Sequence, residues 1–397
     1  MKSKGERKKL LILTSATGAG HDTHARAATE WCLRLYGEDV VVRIEHVLED
    51  SHWVFRAGVD FYNLIQRKAP WIHHFYYHLV EFLDFLNFGT VTLGREYYSR
   101  LLQDFRPDAV LSVHDCLNRG YFELAQKILG PDVRCATYCP EFSGGYGFSK
   151  NWVNPRGDYF FGRTEETIQK SSARHLGGGR ALVSGHWAPP GFYKTAMEAE
   201  EKAEYLAREL GLEKNRFTLL LSTGGAGAQN HQALLRALEE LSPDLQVVAL
   251  CGRDEKTRAD LEDWVKGHSQ LVVRALGFRS DMSSLLQVSS AVVARAGATT
   301  AGEALLCGCP VIFNAIGGLM PQEIPTWNYF QKRGIGARIF RPSALTGIVD
   351  GWIRSPASYK ALKSRLMKES DTSTPEKALR LLLDQCQAQK ETRSESG

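Results

Sequence analysis

Short apolar runs with strand-like composition alternate with longer amphipathic stretches along almost the whole chain. Such runs are typical of strands buried on both faces of a parallel sheet, and the stretches between them are long enough for crossover helices. The alternation therefore predicts an α/β fold. It occurs in two consecutive series, with strands predicted at 10–14, 40–44, 109–113, 134–138 and 181–184, then at 218–222, 246–250, 271–275, 291–294 and 311–314.

Two domains fit a chain of 397 residues better than one, because single cores stop growing at about 250–300 residues. The alternation breaks at 185–194, GHWAPPGFYK, where two prolines and two glycines indicate a linker. We therefore predict two Rossmann-like domains, at 1–187 and 188–355. The remaining residues, 356–397, are predicted to form C-terminal helices and a tail that packs back on the first domain.

Composition narrows the functional class. Hydrophobic residues make up 43% of the chain and charged residues 24%, as in soluble globular proteins. The net charge of +4 does not indicate a nucleic-acid binder, although local basic patches could meet an anionic surface. The N-terminal apolar stretch is too short for a secretory signal, and no apolar run reaches the length of a membrane span. The eight cysteines lack paired zinc spacing and are predicted to be buried free thiols of a reducing cytoplasm.

A glycine loop with a histidine at its tip follows the first predicted strand. This loop, SATGAGH at 15–21, carries Gly18 and Gly20 just ahead of a predicted helix. Backbone N–H groups at a helix N-terminus favour an anionic or polar ligand. Because the pKa of histidine lies near neutrality, His21 could take a proton from an acceptor hydroxyl. The alternative is a histidine that only caps the helix or faces solvent.

A second glycine loop, LSTGGAGA at 221–228, opens the second series of strands in the same way. Gly224, Gly225 and Gly227 would let the backbone approach a phosphate closely, and the helix predicted from about Asn230 would point its dipole at that phosphate. A tight strand-to-helix turn without a ligand is the alternative interpretation.

A third motif runs from 293 to 305, where a predicted buried strand leads into Gly297. Thr299 and Thr300 can begin a helix while their hydroxyl groups bind a phosphate. Glu303 lies one turn further on, where a carboxylate could accept both hydrogen bonds of a ribose diol. The alternative is a capping arrangement that only starts a helix.

The segment 50–103 departs from the alternation, because it has helical length but many aromatic residues, as in WIHHFYYHLVEFLDFLNFG at 71–89. Packing against the first sheet explains much of this composition. The alternative is a partly exposed aromatic face that touches an apolar acceptor or the membrane interface. The sequence leaves both interpretations open.

Further short motifs accompany these loops in a definite order. In the first half they are 17–21, the His114-Asp115 pair, 151–155 and 163–166; in the second they are 224–227, 250–253, 276–278, 281–282, 297–303 and 308–310. Together they resemble the glycosyltransferase family that includes the monogalactosyldiacylglycerol synthases and the bacterial processive diacylglycerol glucosyltransferases. The peptidoglycan GlcNAc transferase is a more distant likeness. The resemblance covers most of the chain.

The resemblance implies a GT-B architecture, with the acceptor on the first domain, a UDP-sugar on the second and a cleft between them. Transfer would invert the anomeric centre without a metal ion, with the UDP-sugar as a substrate and no cofactor. His21 would be the general base. The implied donor-binding residues are Gly224, Gly225, Gly227, Arg253, Phe278, Met282, Gly297, Thr299, Thr300, Glu303, Gln322 and Glu323. The implied acceptor-binding residues are Gly18, Gly20, His114, Asp115, Glu141 and Trp152.

Within the donor site, the resemblance implies that the glycine loop and the two threonines hold the diphosphate and Glu303 the ribose. Backbone near Phe278 and Met282 would hold the uracil, and Gln322 and Glu323 the sugar hydroxyl groups. The implied acceptor is a lipid such as diacylglycerol. The implied location is cytoplasmic, with peripheral contact to an anionic membrane surface.

The chain departs from the family pattern at several positions. Ala19 stands where a third glycine is usual, RAGA at 295–298 replaces a Lys-Pro-Gly-Gly-like run, and Glu141 lies near a usual Asp. The Asn expected soon after Gln322-Glu323 comes two residues late, at Asn328. The identity of the sugar therefore stays open. Other functions that fit the sequence are transfer to a soluble or non-glycerolipid acceptor, sugar-nucleotide epimerisation or hydrolysis, and an inactive homologue that binds nucleotide sugar or lipid.

Overall fold

The computed structural model describes residues 7–68, 72, 74, 91–222, 230–241, 243–268 and 270–384. They form two compact units. The first includes the chain up to Leu64, His74–Pro190 and the chain again from Thr372, and the second includes Gly191–Asp371. Most of the aromatic segment 71–89 and the glycines of the second loop, Gly224, Gly225 and Gly227, lie outside the described residues.

A six-stranded parallel sheet forms the centre of the first unit. Its strands are β1 Lys8–Thr14, β2 Val40–His46, β3 Ala109–Ser112, β4 Arg134–Cys139, β5 Tyr159–Gly162 and β6 Ala181–Val183, in the spatial order β2-β1-β3-β4-β5-β6. Strand β3 and most of β1 and β4 are buried, which is why they are continuous apolar runs in the sequence. The strand order reverses between β1 and β3, and ligand sites of open α/β sheets lie at the carboxyl ends of strands at such a reversal.

Helices connect these strands and supply the rest of the first core. They are α1 Gly20–Tyr36, α2 Val47–Ser51, α3 Trp53–Lys68, α4 Val91–Phe105, α5 Tyr121–Leu129 and α6 Glu165–Gln169. Tyr98 of α4 and Tyr121 of α5 meet edge to face, with ring centroids 5.0 Å apart. Leu101 and Leu102 pack in the same cluster as Leu11 of β1.

The stretch after β6 packs inside the first unit. Trp187 is fully buried and stacks on Tyr138 of β4 at a centroid distance of 4.3 Å. Its backbone N–H donates to the Tyr138 hydroxyl (3.0 Å), and its carbonyl accepts from Nδ1 of His24 (2.8 Å). Residues 185–188 of the predicted linker are therefore core, and the division between the units follows Pro190.

The second unit repeats the design with another six-stranded parallel sheet. Its strands are β7 Phe217–Ser222, β8 Leu245–Leu250, β9 Val272–Leu276, β10 Ala291–Ala294, β11 Val311–Asn314 and β12 Gly336–Ile339, in the order β12-β11-β10-β7-β8-β9. Its helices are α7 Ala199–Glu209, α8 His231–Leu238, α9 Glu255–Gly267, α10 Met282–Val288, α11 Ala298–Leu306, α12 Ile324–Arg333, α13 Ser343–Arg354 and α14 Pro356–Glu369. Here the strand order reverses between β7 and β10.

The predicted α/β fold of two Rossmann-like sheets is confirmed. All ten predicted strands are present, and the prediction missed only β5 and β12 among the described strands. Strand β12 contains only one fully buried side chain, so it produces no clear apolar run. The seven cysteines in the described part of the chain are free thiols. Among the described residues, no helix combines the length and the apolar character needed to cross a bilayer.

The end of the chain is divided between the units. Helix α14 lies within the second unit, whereas the helical residues 376–384 lie within the first. Leu379, Leu382 and Leu383 are fully buried there, and Asp384 accepts hydrogen bonds from Lys8 of β1 (2.5 Å) and the hydroxyl of Tyr36 (2.9 Å). The C-terminal helix is thus part of the first core.

Truncation of Leu383 to alanine is expected to destabilise the first unit. Removing a fully buried leucine side chain leaves a cavity and costs roughly 2–5 kcal/mol of unfolding free energy. Lys377→Ala, at an exposed position of the same helix, is the matched control and should change stability by less than about 0.5 kcal/mol. Urea unfolding followed by tryptophan fluorescence measures both; equal effects would contradict the packing described.

Candidate active site

His21 stands where the loop after β1 enters helix α1, at the strand reversal of the first sheet. Gly18 has a positive φ of 75°, a conformation that side chains disfavour, and it turns the chain from the strand into the helix. Nδ1 of His21 lies 2.7 Å from the carbonyl oxygen of Val113, just past β3. Since a carbonyl can only accept, neutral His21 carries its proton on Nδ1 and has a lone pair on Nε2. Within the described residues, Nε2 makes no hydrogen bond.

His114 packs against His21 with ring centroids 4.3 Å apart. Its Nδ1 accepts the backbone N–H of Cys116 (3.1 Å), so its proton resides on Nε2 and is donated to Oγ1 of Thr17 (2.8 Å). Burial, together with the nearby His21, lowers the pKa of His114 well below its usual value. His114 is therefore a neutral ring that fixes the glycine loop and one face of His21.

Two acidic groups accompany this pair of histidines: Asp115 contacts His114, and Glu141 interacts electrostatically with Asp115. Asp115 places a carboxylate oxygen 3.2 Å from Nδ1 of His114. Glu141 is buried, and Oε2 has no hydrogen-bond partner among the described residues. Burial and the negative charge of Asp115 raise the pKa of Glu141 to about 8, against the opposing effect of Arg163. At neutral pH Glu141 is therefore mainly a protonated acid that can donate a hydrogen bond.

Trp152 also lies near His21, with ring centroids 6.0 Å apart. It ends a short turn, Lys150–Trp152, that is held by Asn118. The side-chain amide of Asn118 donates to the carbonyl of Asn151 (2.9 Å), and its oxygen accepts from the hydroxyl of Thr137 in β4 (2.8 Å). No local sequence pattern indicated this role of Asn118, because the role depends on contacts between distant segments.

Two other histidines of the first unit have a different role. His24, one turn along α1 from His21, and His186 are both buried, with ring centroids 5.3 Å apart. Burial lowers the pKa of His24 to about 3 and that of His186 in the same direction. Both are neutral core residues, whereas His21 is only partly buried.

One group of side chains in the described residues has the composition of a metal site. Ligand atoms of His114, Asp115 and Cys116 lie within 4.8 Å of one another. However, Nδ1 of His114 already accepts the N–H of Cys116, and its Nε2 is bound to Thr17. A metal ion would have to break one of these hydrogen bonds, so the geometry favours the hydrogen-bonded role.

In the second unit, β10 leads into the third motif at the reversal of the sheet. Gly297 precedes the first turn of α11, and a Cβ atom at Gly297 would meet nothing within 4 Å among the described residues. Thr299 and Thr300 are partly exposed in that first turn, and Glu303 is buried one turn on. A helix N-terminus with open space beside it is suited to an anion.

Arg253 and Phe278, which follow β8 and β9, are brought together. The Arg253 guanidinium lies 4.9 Å from the centroid of the Phe278 ring, which is 57% exposed. The turn after Phe278 is fixed by Asp281, which accepts from Arg279 (2.8 Å) and from the hydroxyl of Tyr205 in α7 (2.5 Å). This network ends where Met282 begins α10. The sequence did not single out Tyr205.

Gln322 and Glu323 form a short turn, Pro321–Glu323, ahead of α12. Gln322 is partly buried, with Nε2 at 3.6 Å from the sulfur of Met320. Glu323 is 1% exposed and is ion-paired with Arg295. Burial raises the pKa of Glu323, and the charge of Arg295 opposes that effect.

Comparisons with known proteins agree with this architecture. Residues 218–315 match the glycosyltransferase family 28 C-terminal domain. Monogalactosyldiacylglycerol synthase 1, chloroplastic, of Arabidopsis thaliana is 26% identical over 391 residues, which are 95% of this chain and 70% of the relative. The processive diacylglycerol beta-glucosyltransferase of Staphylococcus epidermidis is 22% identical over 389 residues, which are 96% of this chain and 93% of the relative.

Solved structures share the fold across nearly the whole chain. Arabidopsis thaliana UGT89C1, complexed with quercetin, has a TM-score of 0.63 at 14% identity and covers 96% of this chain and 100% of its own. Anabaena Alr3699/HepE, in complex with UDP and glucose, has a TM-score of 0.56 at 15% identity, with 98% and 100% coverage. The chain is a glycosyltransferase with a GT-B fold. The predicted resemblance, fold and enzyme class are thereby confirmed, while the roles of single residues in this glycosyltransferase stay predictions.

The raised pKa of Glu141 predicts a pH dependence of stability. A carboxyl group with a pKa of about 8 in the folded state, against a usual 4.5, holds a proton that the unfolded chain releases. Unfolding free energy should therefore fall as pH rises from about 4.5 to 8, and Glu141→Gln should remove this contribution. In urea unfolding at several pH values, the unfolding free energy of the variant is expected to increase relative to that of the wild type as the pH rises. A constant difference would contradict a protonated Glu141.

Proposed function

We propose that this glycosyltransferase moves a hexose from a UDP-sugar to a hydroxyl group of a lipid such as diacylglycerol, with inversion at the anomeric centre. The single observation that carries the catalytic part is the His21–Val113 hydrogen bond, because it leaves Nε2 of His21 able to accept a proton. The donor and acceptor classes are supported by the relatives, whose names specify synthesis on diacylglycerol, and by a neighbour that binds UDP and glucose.

In the proposed reaction, Nε2 of His21 takes the proton of the acceptor hydroxyl as its oxygen attacks the anomeric carbon. The bond from that carbon to the diphosphate breaks, and UDP leaves with the electron pair. Neutral His114 supports this step, because an uncharged neighbour does not repel the positive charge that His21 gains. Protonated Glu141, with Trp152 nearby, would help to hold the acceptor.

The leaving diphosphate needs fixed positive potential. We place it at the N-terminus of α11, near Thr299, Thr300 and Gly297, where a Cβ atom on the glycine would meet none of the described residues within 4 Å. The glycine loop with Gly224, Gly225 and Gly227 would complete the cradle, and Glu303 would bind the ribose. These groups would stabilise the negative charge of the leaving diphosphate, as a metal ion does in other transferases.

The uracil is proposed to bind beside Phe278. This aromatic ring is exposed although it is large and apolar, and the Arg253 guanidinium already lies on it. A nucleobase can stack on either group, since both are planar. Backbone groups near Met282 would then select the base by hydrogen bonds.

The lipid acceptor is supported by the surface of helix α3. Trp53, Val54, Phe61 and Leu64 are exposed by 74%, 41%, 51% and 42%. At about 100° per residue they occupy roughly a quarter of the helix circumference, while Val59 packs into the core. An exposed apolar stripe of this kind, led by a tryptophan, fits the interfacial region of a membrane. We accordingly propose that this stripe of α3 makes peripheral contact with the cytoplasmic face of a membrane.

Replacing His21 by alanine is expected to lower kcat by about 10²–10⁴-fold, the usual contribution of a general base. UDP affinity, measured by calorimetry, should stay unchanged because His21 belongs to the first unit and the donor residues to the second. The assay pairs UDP-glucose, UDP-galactose and UDP-GlcNAc with diacylglycerol and with other hydroxyl acceptors.

The matched control is His175→Ala, an exposed histidine of the same unit, which should keep full activity. Unchanged turnover in His21→Ala with every donor would rule out the proposed base. A wild-type protein that binds UDP but transfers sugar to no acceptor would instead favour an inactive nucleotide-binding homologue.

The double variant Trp53→Ser/Phe61→Ser is expected to bind vesicles of anionic lipid and diacylglycerol at least about tenfold more weakly, because two large apolar side chains are lost from the interface. Co-sedimentation measures this partitioning. Phe340→Ser/Met367→Ser is the matched control, with side chains of 59% and 57% exposure in the second unit. Equal binding by both variants, or no binding by the wild type, would count against a lipid acceptor.

A further inference from the structure

Arg295 links the end of β10 to the loop that follows β11. Its Nη1 donates to the carbonyl oxygens of Asn314 (3.2 Å) and Ile316 (3.3 Å), and its Nη2 donates to that of Gly318 (2.9 Å). The guanidinium thus satisfies three backbone acceptors of one loop. These acceptors fall in a segment with two consecutive glycines of positive φ, Gly317 and Gly318, so the loop needs an external constraint to keep one shape.

Glu323 completes the coordination of the same guanidinium. Nε of Arg295 donates to Oε1 at 2.9 Å and Nη2 to Oε2 at 2.5 Å, which is a two-point ion pair. Oε2 also accepts the backbone N–H of Met320 at 2.8 Å. Because the side chain is only 1% exposed and is held by Arg295 and by the Met320 N–H, a sugar hydroxyl could reach this carboxylate only if the surrounding loop moved.

We propose that Arg295 and Glu323 act together as positioning residues, which set the shape of the loop 315–322 so that Gln322 and the loop backbone meet the hexose of the donor. In this arrangement Glu323 does not bind the sugar itself. The inference rests on the proposed UDP-sugar transferase function and changes the role that the family resemblance implies for Glu323.

The loop also lies next to the proposed diphosphate site. Arg295 precedes Gly297 by two residues, and Asn314 donates from Nδ2 to Oδ1 of Asn230 at 3.2 Å, just ahead of α8. The residue that precedes the loop and the arginine that holds it therefore lie beside the two helix N-termini that would hold the diphosphate. A change in its shape alters how the hexose sits relative to the phosphates, while the uracil site after β9 stays as it is.

An arginine is required for this arrangement. Its planar fork supplies donors in several directions, whereas a lysine offers one ammonium at the end of a flexible chain. Arg295→Lys keeps the positive charge but cannot bond Glu323 at two points and three carbonyls at once. Glu323→Gln keeps the size of the side chain and removes the negative charge. One substitution therefore weakens the donor of the ion pair and the other its acceptor, and neither introduces a larger side chain.

We expect Arg295→Lys to raise the KM for the UDP-hexose about tenfold, which corresponds to losing one hydrogen bond between the displaced loop and the hexose. The affinity for UDP alone, measured by calorimetry, should change less than about twofold, because UDP lacks the hexose and changes at independent sites usually add to within that factor. The KM for the acceptor should be unaffected. Glu323→Gln should produce the same pattern.

The double variant Arg295→Lys/Glu323→Gln distinguishes a pair from two independent residues. If the residues act as one unit, the double variant should lose no more UDP-hexose affinity than the worse single variant. Losses that multiply would overturn the proposal and indicate that Glu323 contacts the sugar directly. A change of preference between UDP-glucose and UDP-galactose in Glu323→Gln alone would overturn it in the same way.

Arg333→Lys is the matched control, because Arg333 pairs with Glu369 at 2.7 Å within the same unit but away from the loop. It should leave the KM for the UDP-hexose unchanged. If this KM rose as much in Arg333→Lys as in Arg295→Lys, the effect of Arg295→Lys would be explained by general destabilisation of the unit. Failure of the wild type to bind any UDP-hexose would overturn the proposed function and this inference together. If the wild type turned over normally but the affinity losses of the two single variants multiplied in the double variant, only the proposed pairing of Arg295 and Glu323 would be overturned.

Discussion

The parallel pairing of β1 with β3 is the constraint on which the first half of the candidate active site depends. It places the carboxyl ends of the two strands side by side, with Leu13 opposite Ser112, so that the loop after β1 meets the backbone just past β3. The hydrogen bond from His21 to the carbonyl of Val113 follows from that adjacency. It fixes both the direction of the imidazole ring and the nitrogen that carries the proton. A histidine in the same loop without this carbonyl would have no preferred tautomer.

The second sheet uses the same topology for a different chemical purpose. Its strand order reverses between β7 and β10, which brings the N-terminus of α11 to the carboxyl edge of the sheet. Arg295, at the end of β10, then ties the loop after β11 to this edge through backbone carbonyls and Glu323. The proposed base would thus come from the first sheet and the proposed anion site from the second, and transfer from a nucleotide sugar requires both functions.

Burial sets the charge of the groups around these two sites. His114 is held neutral and Glu141 is held largely protonated, although a histidine and a glutamate in water would have other pKa values and other hydrogen-bonding roles. Glu323 is buried too, but its carboxylate forms an ion pair with Arg295, whereas Oε2 of Glu141 has no hydrogen-bond partner among the described residues. The same residue type therefore serves as a donor in the first unit and as a fixed acceptor in the second.

The sequence by itself determined the α/β class, ten of the twelve described strands and the loops that carry His21, Gly297 and the threonines after it. Local patterns suffice for these features, because an apolar run indicates a buried segment and a glycine just before the start of a helix indicates a turn. The sequence did not determine which distant groups these residues meet. Val113 lies 92 positions from His21 and Glu323 lies 28 positions from Arg295, so both partnerships depend on strand order. The short strands β5 and β12, the support from Asn118 and the buried state of Glu141 were likewise decided only by the tertiary structure, since each arises from neighbours that no local pattern specifies.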